Sequence, residues 1–322
     1  MSRTMQTMRA TTVGSWGGPE LLQEVELPRP VPEPGEILVR VHAAGVNATD
    51  WKQRASGGLG LWNNPPAVGW DVSGTVEAVG MGVTLFREGD QVAGMPHFPR
   101  QAGAYAEYVT GPARHFAHKP PEIGHIEAAA LPLVSLTAWQ ALFDTAHLKP
   151  GQRVLIHAAA GGFGHIAVQI AKAHGLHVTG TARHEKHPFL RKLGADDLVD
   201  YTATDFTTAV RDVDAVLDTI GGDYGLRSLT VLRPGGRLVS LASPADDDLR
   251  PHAEARGFHA GFMLVEPDHA TLVAIMDLVT AGRLRPEIET VLPLSQAAEA
   301  HRLGETGRTT GKIVLRVVEG TG

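Results

Sequence analysis

The chain has 322 residues, with 29 Lys and Arg against 35 Asp and Glu, a formal net charge of −6. That length corresponds to about two domains, and 43% apolar with 20% charged residues supports a packed core rather than disorder. The charge balance, with no basic block, argues against nucleic acid as the main partner, and no apolar run reaches the roughly 18 to 20 residues that span a bilayer.

The opening MSRTMQTMRATTVGSW lacks the apolar segment of a secretory signal. Cysteine is absent, which removes disulfides, thiolate nucleophiles, iron–sulfur clusters and thiolate zinc sites. Both features are in keeping with a cytoplasmic protein.

The first third reads as β-rich. Glu36–His42 (EILVRVH), Asp71–Val79 (DVSGTVEAV) and Ala104–Thr110 (AYAEYVT) alternate or use β-branched residues, and Gly/Pro stretches such as Pro28–Gly35 and Phe86–Asp90 separate the strands. Near Ile126 the rhythm changes. Glu127–Leu142 has a helical pattern interrupted by Pro132. From Gly151 onward strands and helices alternate. Arg153–Ala158 is a buried strand, and Phe163, Ile166, Ala167, Ile170 and Ala171 then mark one face of a helix. Strands follow at His177–Ala182, Asp197–Asp200, Ala215–Thr219, Arg237–Ala242 and within Gly257–Glu266, then a helix at Asp268–Ala281 and a strand at Lys312–Val317. The expected class is α/β: a doubly wound, Rossmann-type parallel sheet joined to a β-rich domain.

Residues Ala158–Gly164 read AAAGGFG between the first strand and first helix of the α/β half. They match the dinucleotide fingerprint G-x-G-x-x-G, with Ala159 at the first glycine, Gly161 at the second and Gly164 at the third. Gly161 lets backbone approach a pyrophosphate and Gly164 lets helix and strand pack closely. Gly162 and Phe163 lead into the helix, whose N-terminus offers N–H groups to phosphate. An NAD site places an acid at the end of the second strand, about 20 residues on, for the ribose 2′-hydroxyl. Here that strand ends Thr181-Ala182-Arg183-His184. The Arg183 guanidinium suits a 2′-phosphate, so NADPH is expected over NADH. A solvated surface charge is the other reading of Arg183.

Several motifs together carry a family resemblance: Gly45–Asp50 (GVNATD), Gly69–Gly74 (GWDVSG), Gly103–Val109 (GAYAEYV), Leu136–Trp139 (LTAW), the AAAGGFG loop, Leu193–Asp196 (LGAD) and Gly311–Leu315 (GKIVL). The chain resembles the medium-chain dehydrogenase/reductase superfamily, specifically its zinc-free quinone oxidoreductase-like branch, over roughly Arg9 to Val317. The resemblance implies a GroES-like catalytic domain from residues 1–127 and 267–322, a Rossmann domain from residues 128–266, and an active cleft at their junction. It also implies a homodimer paired through the last Rossmann strand, within Gly257–Glu266. Zinc members carry a cysteine where this chain has Asn47, and His-Glu where it has Trp70-Asp71. Neither zinc site is therefore expected, and the spaced pairs His115/His118 and His184/His187 lack the further ligands a metal needs.

Without a metal, hydride transfer is best suited to a carbon conjugated to a carbonyl, where charge delocalises onto oxygen and a hydrogen bond suffices. The expected activity is reduction of a quinone or an α,β-unsaturated carbonyl. The alternatives are an enoyl reductase of a polyketide-type route and a non-catalytic NADPH-binding sensor. On this resemblance Asn47 stands near the nicotinamide ribose; holding a turn is its other reading. Lys52 is a hydrogen-bond donor to ribose or enolate, or else a solvated lysine. Tyr105 borders the cleft, either donating its hydroxyl or lining the pocket, the latter favoured. Trp51 and Trp62 line the substrate side or belong to the core. On the cofactor side Thr137 matches a threonine near the nicotinamide and Tyr201 a tyrosine beside the adenosine phosphate. Leu241, Ala242 and Ser243 end the fifth strand beside the nicotinamide, and Phe262, Met263 and Leu264 pass its other side. Lys312 reaches toward the cofactor. The glycine-rich stretch Gln53–Pro66 is expected to border the substrate.

Overall fold

The computed structural model of the chain describes residues 6–58, 67–243 and 249–318. Trp62 and most of the Gln53–Pro66 stretch lie outside the described residues, but Gln53–Ser56 belong to a helix. In chain order the strands are β1 (Thr7–Val13), β2 (Leu22–Pro28), β3 (Glu36–Val46), β4 (Asp71–Val79), β5 (Gln91–Gly94), β6 (Tyr108–Pro112), β7 (Phe116–His118), β8 (Arg153–Ile156), β9 (His177–Ala182), β10 (Asp197–Asp200), β11 (Val213–Asp218), β12 (Leu232–Ser240), β13 (His259–Phe262), β14 (Ile288–Pro293) and β15 (Lys312–Arg316). The helices are α1 (Ala48–Ser56), α2 (His125–Ala129), α3 (Pro132–Trp139), α4 (Gly164–Ala173), α5 (His187–Lys192), α6 (Phe206–Ala209), α7 (Asp223–Ser228), α8 (Leu249–Glu254), α9 (His269–Thr280) and α10 (Ala297–Glu305). Pro132 begins α3, which widens into a π turn over Gln140–Thr145.

The chain divides into two compact units, Met1–Leu136 with Glu266–Gly322, and Thr137–Val265. The first unit thus runs to Leu136 rather than to residue 127. The reason is local. Ala129 and Ala130 pack on Ala43 and Val314, and the Leu133 N–H donates to Asp71 Oδ1 at 2.8 Å.

The first unit holds a seven-strand sheet, β14-β15-β3-β4-β5-β7 with β6 paired to β3, beside the β1–β2 hairpin. Strand β15 pairs antiparallel with β3 and parallel with β14. In β3, Ile37, Val39 and Val41 are fully buried and join a core with Val72, Val92, Phe116 and Leu315; Leu38 and the run Ala43–Val46 are buried as well, so the strand is covered on both faces over much of its length. Only the end of the predicted strand Ala104–Thr110 is regular. Residues 104–107 form an irregular segment bridged to β1 at Ala10–Ala106.

The second unit is a six-stranded parallel sheet in the order β10-β9-β8-β11-β12-β13. This is the doubly wound order, reversing direction between β8 and β11, where such sheets bind nucleotides. Helix α4 follows β8 directly. Its apolar face, Ile166, Ala167, Ile170 and Ala171, is fully buried, and Val168 and Gln169 are buried as well. Strand β13 is an edge strand, only partly covered.

Candidate active site

Two groups of side chains stand out, one in each unit. In the second unit, the turn after β8 leads straight into α4. Ala158 takes a positive φ of 49°, and Ala159 is fully buried, its N–H donating to the Thr181 carbonyl at 2.9 Å. A Cβ on Gly164 would lie 2.5 Å from the Ala158 oxygen and 2.6 Å from Ala159 Cα. Both are backbone atoms, so only glycine permits this approach. On Gly161 a Cβ would meet just one atom, the Ala158 oxygen, at 3.3 Å. In the first turn of α4 the His165 N–H donates to the Gly161 carbonyl at 3.2 Å and the Ala167 N–H to the Phe163 carbonyl at 3.0 Å, and the helix dipole favours an anion at this end. Gly161, Gly162 and Phe163 lie between the turn after β8 and α4.

The residues expected at the adenosine end come together. Arg183 follows β9 and Tyr201 follows β10, and Arg183 Nε donates to the Tyr201 hydroxyl at 3.2 Å. Both are exposed. The guanidinium is a permanent cation, and the hydrogen bond raises its pKa further. Leu241, Ala242 and Ser243 follow β12, with the Leu241 N–H on the Asp218 carbonyl at 2.7 Å. Phe262 ends β13 and the Met263 N–H bonds Ser240. Leu264 is exposed. Thr137 is buried within α3.

The second group lies in the first unit, at the junction of β3 and α1. Asn47 caps α1, and Asp50 accepts the Asn47 N–H at 2.7 Å. The Asn47 side chain is held at both ends. Its Nδ2 donates to Asp71 Oδ2 at 2.9 Å, and its Oδ1 accepts from Lys312 Nζ. Lys312 also donates to the Val46 carbonyl at 2.8 Å and lies 3.8 Å from Asp71. Asn47, Asp50, Asp71 and Lys312 are all buried. Burial raises Asp71 to a pKa of about 6, against the opposing pull of Lys312, Asn47 and the Leu133 N–H. Asp50 is likewise pushed up by burial, and Lys312 is pushed down by it.

Two expectations are corrected here. Lys312 is turned into the first unit, where the Asp71 carboxylate, the Asn47 oxygen and the Val46 carbonyl hold its ammonium. Tyr105 does not line a surface. It is fully buried, its hydroxyl donates to Asp50 at 3.0 Å, and its oxygen lies 3.2 Å from His301 Nε2. Burial and the Asp50 charge hold its pKa far above the ordinary tyrosine value. Trp51 packs on the core and edge-on to His301, which gives it the core role. Lys52 lies on α1 with an exposed side chain, though partial desolvation lowers its ammonium pKa.

Asp50, Asp71 and His301 were not singled out as site residues from sequence. Asp71 and Asp50 stand inside the quoted motifs, and a buried acid beside a helix cap was the available signal. His301 sits on α10, which carried no sequence signal. Zinc does not fit this group. Cysteine is absent, Asn47 is an amide, and the Lys312 ammonium already stands against Asn47 and Asp71. Among the described residues no three His, Asp or Glu side chains are grouped to hold a metal ion.

Comparison with known proteins agrees with this architecture. The family described as alcohol dehydrogenase GroES-like domain matches residues 33–121, and that described as zinc-binding dehydrogenase matches residues 193–315. A mitochondrial NAD(P)H oxidoreductase, RTN4IP1 of Danio rerio, is 33% identical over 89% of this chain and 84% of its own length. A quinone oxidoreductase of Pongo abelii is 30% identical, covering 98% of this chain and 99% of its own. The structure of the quinone oxidoreductase from Coxiella burnetii superposes with a TM-score of 0.92 at 37% identity, over 97% of this chain and all of that one. Motifs, strand order and relatives together make this chain an oxidoreductase of the medium-chain dehydrogenase/reductase superfamily, in its zinc-free quinone oxidoreductase-like branch.

Proposed function

We propose that the protein is a zinc-independent, NADPH-dependent reductase of quinones or α,β-unsaturated carbonyls. The observation that carries the reading is the Arg183–Tyr201 pair beside the glycine loop: a permanent cation with a phenol, where an NAD site would present an acid. That pair suits a 2′-phosphate, and the Gly161–Gly164 loop suits the pyrophosphate. Bound NADPH supplies the hydride. The chain's own contribution is orientation and a hydrogen bond. Asn47 donates from Nδ2 to the oxygen on which charge develops, and Lys52 assists from α1. A proton from water then completes the reduction, giving hydroquinone or saturated carbonyl. The buried Asn47 group, with an ammonium where a metal ligand set would stand, supports acceptors that need no Lewis acid.

The reading includes a homodimer formed through β13, whose outer edge is unpaired within the second unit's sheet. It also includes a cytoplasmic setting. Among the described residues no helix is long and apolar enough to cross a membrane.

The test is NADPH oxidation, followed by absorbance, with an ortho-quinone and a short enone in chelator-treated buffer. Turnover that persists, and exceeds that with NADH, is expected. Loss of turnover on chelation with recovery on adding zinc refutes the proposal. Turnover only with an enoyl thioester moves the substrate to the carrier-bound class, and saturable NADPH binding without turnover of any acceptor makes the protein a sensor.

A further inference from the structure

We infer that Lys312 and Asp71 are positioning residues that lock the side-chain amide of Asn47 in a single orientation, so that its NH2 group always serves as the donor. The inference rests on the role proposed for Asn47 above. It follows from what each partner can do. An ammonium only donates and an ionised carboxylate only accepts. Lys312 Nζ contacts Asn47 Oδ1, and Asp71 Oδ2 accepts from Asn47 Nδ2 at 2.9 Å. Flipping the amide would set NH2 against the ammonium and oxygen against the carboxylate, so the oxygen and nitrogen are assigned by chemistry.

Both partners are themselves fixed. Lys312 is also tied to the Val46 carbonyl at 2.8 Å, one residue before Asn47. Asp71 Oδ1 takes the Leu133 N–H at 2.8 Å. Asn47 is 4% exposed, Lys312 2% and Asp71 0%, so water does not compete for these bonds. One Nδ2 hydrogen goes to Asp71 and the second remains as the donor. The Lys312–Asp71 pair therefore orients the group that acts, without touching the substrate.

The test combines steady-state kinetics with the 15N side-chain resonance of Asn47 in the full-length protein. In the wild type, an Asn47 amide proton protected from exchange with solvent by its bond to Asp71 is expected. Exchange of both amide protons at the rate of a free asparagine would show that Asp71 does not hold the NH2 group and overturn the inference before any variant is made. The double variant Lys312→Met with Asp71→Asn removes the ammonium and the carboxylate that hold the Asn47 amide; the triple variant with Asp50→Asn in addition removes the remaining buried carboxylate and separates loss of orientation from charge imbalance. The double variant is expected to keep its melting temperature within a few degrees and its KM for NADPH within about twofold. Its kcat should fall by about 100-fold, as for a misplaced reacting group, and the Asn47 amide protons should exchange faster with solvent. Lys312→Arg retains a cationic donor and should keep most of the rate. Wild-type kcat in the double variant, alongside a large loss in Asn47→Ala, defeats the positioning role alone. Full turnover in Asn47→Ala defeats the Asn47 reading beneath it. Should the double variant not fold, the wild-type resonance and Lys312→Arg still decide.

Discussion

Gly164 and Gly161 belong to one motif but are constrained by different things, and alanine at each separates them. On Gly164 the new methyl would sit 2.5–2.6 Å from three backbone atoms, about 0.9 Å inside the 3.4 Å at which ordinary contact begins. Neither Ala158 nor Ala159 can yield freely, since Ala159 is bonded to β9. Relief requires α4 to move off β8, and overpacking of this kind costs about 2–3 kcal/mol. At roughly 2–4 °C per kcal/mol for a chain of this order, Gly164→Ala should melt about 5–10 °C lower without any ligand. On Gly161 one contact at 3.3 Å asks for a shift of a few tenths of an ångström. Gly161→Ala should therefore stay within about 1 kcal/mol of the wild type, yet bind NADPH at least about tenfold more weakly, because its methyl stands where the pyrophosphate approaches. Calorimetry and fluorescence titration read the two effects. Wild-type melting in Gly164→Ala, or wild-type NADPH affinity in Gly161→Ala, would refute the reasoning for that residue.

Arg183→Ala should raise the KM for NADPH by about 10- to 100-fold, the scale of a lost charge-assisted bond, with the KM for NADH little changed; equal effects on both would remove the 2′-phosphate role. Tyr105→Phe should lose about 1–2 kcal/mol of stability and leave kcat near the wild-type value, since its hydroxyl serves Asp50; a rate loss at unchanged stability would return it to the chemistry. His157 is fully buried between Thr181 and Ser228, and burial lowers its pKa to about 4 from 6.5. Its folded pKa lies below the unfolded one, so its stabilisation is complete above pH 6.5 and lost as pH falls toward 4. That loss amounts to about 3 kcal/mol. The stability gap between the wild type and His157→Gln, measured by urea unfolding, should narrow across that window, and parallel pH curves would contradict it.

What could be read from sequence was what repeats or closes locally. The period-2 alternation of Ile37, Val39 and Val41 and the helical spacing from Ile166 to Ala171 each depend on neighbours in the chain. So does the AAAGGFG turn, and Arg183 and Tyr201 each end a parallel strand, so both reach the same sheet edge. The buried polar group was legible only in part. Asn47 was marked by its motif, but its side-chain partners come from β4 and β15. Lysine is ordinarily a surface residue. Nothing near Lys312 in sequence reveals that its ammonium meets an amide 265 residues away. Tyr105 was misplaced for the same reason: its partners Asp50 and His301 lie 55 and 196 residues off.

The place of β15 in the first unit's sheet has a consequence in time. Of residues Ala43–Val46 of β3, Ala43–Gly45 pair with β4 on one side, but all four receive their partner on the other only when Ile313–Arg316 have been made. At about 5–20 residues per second, that edge waits roughly 13–50 s during synthesis. The second unit, built from one continuous stretch, can close its sheet in the interval. For all that time the nascent first unit carries an open strand edge, the kind that pairs with other chains, and Asp71 lacks its cation. The strand that covers the edge begins with the lysine that completes the Asn47 group. Closure of the sheet and assembly of the site are thus one event, and a chain cut short before Lys312 has neither.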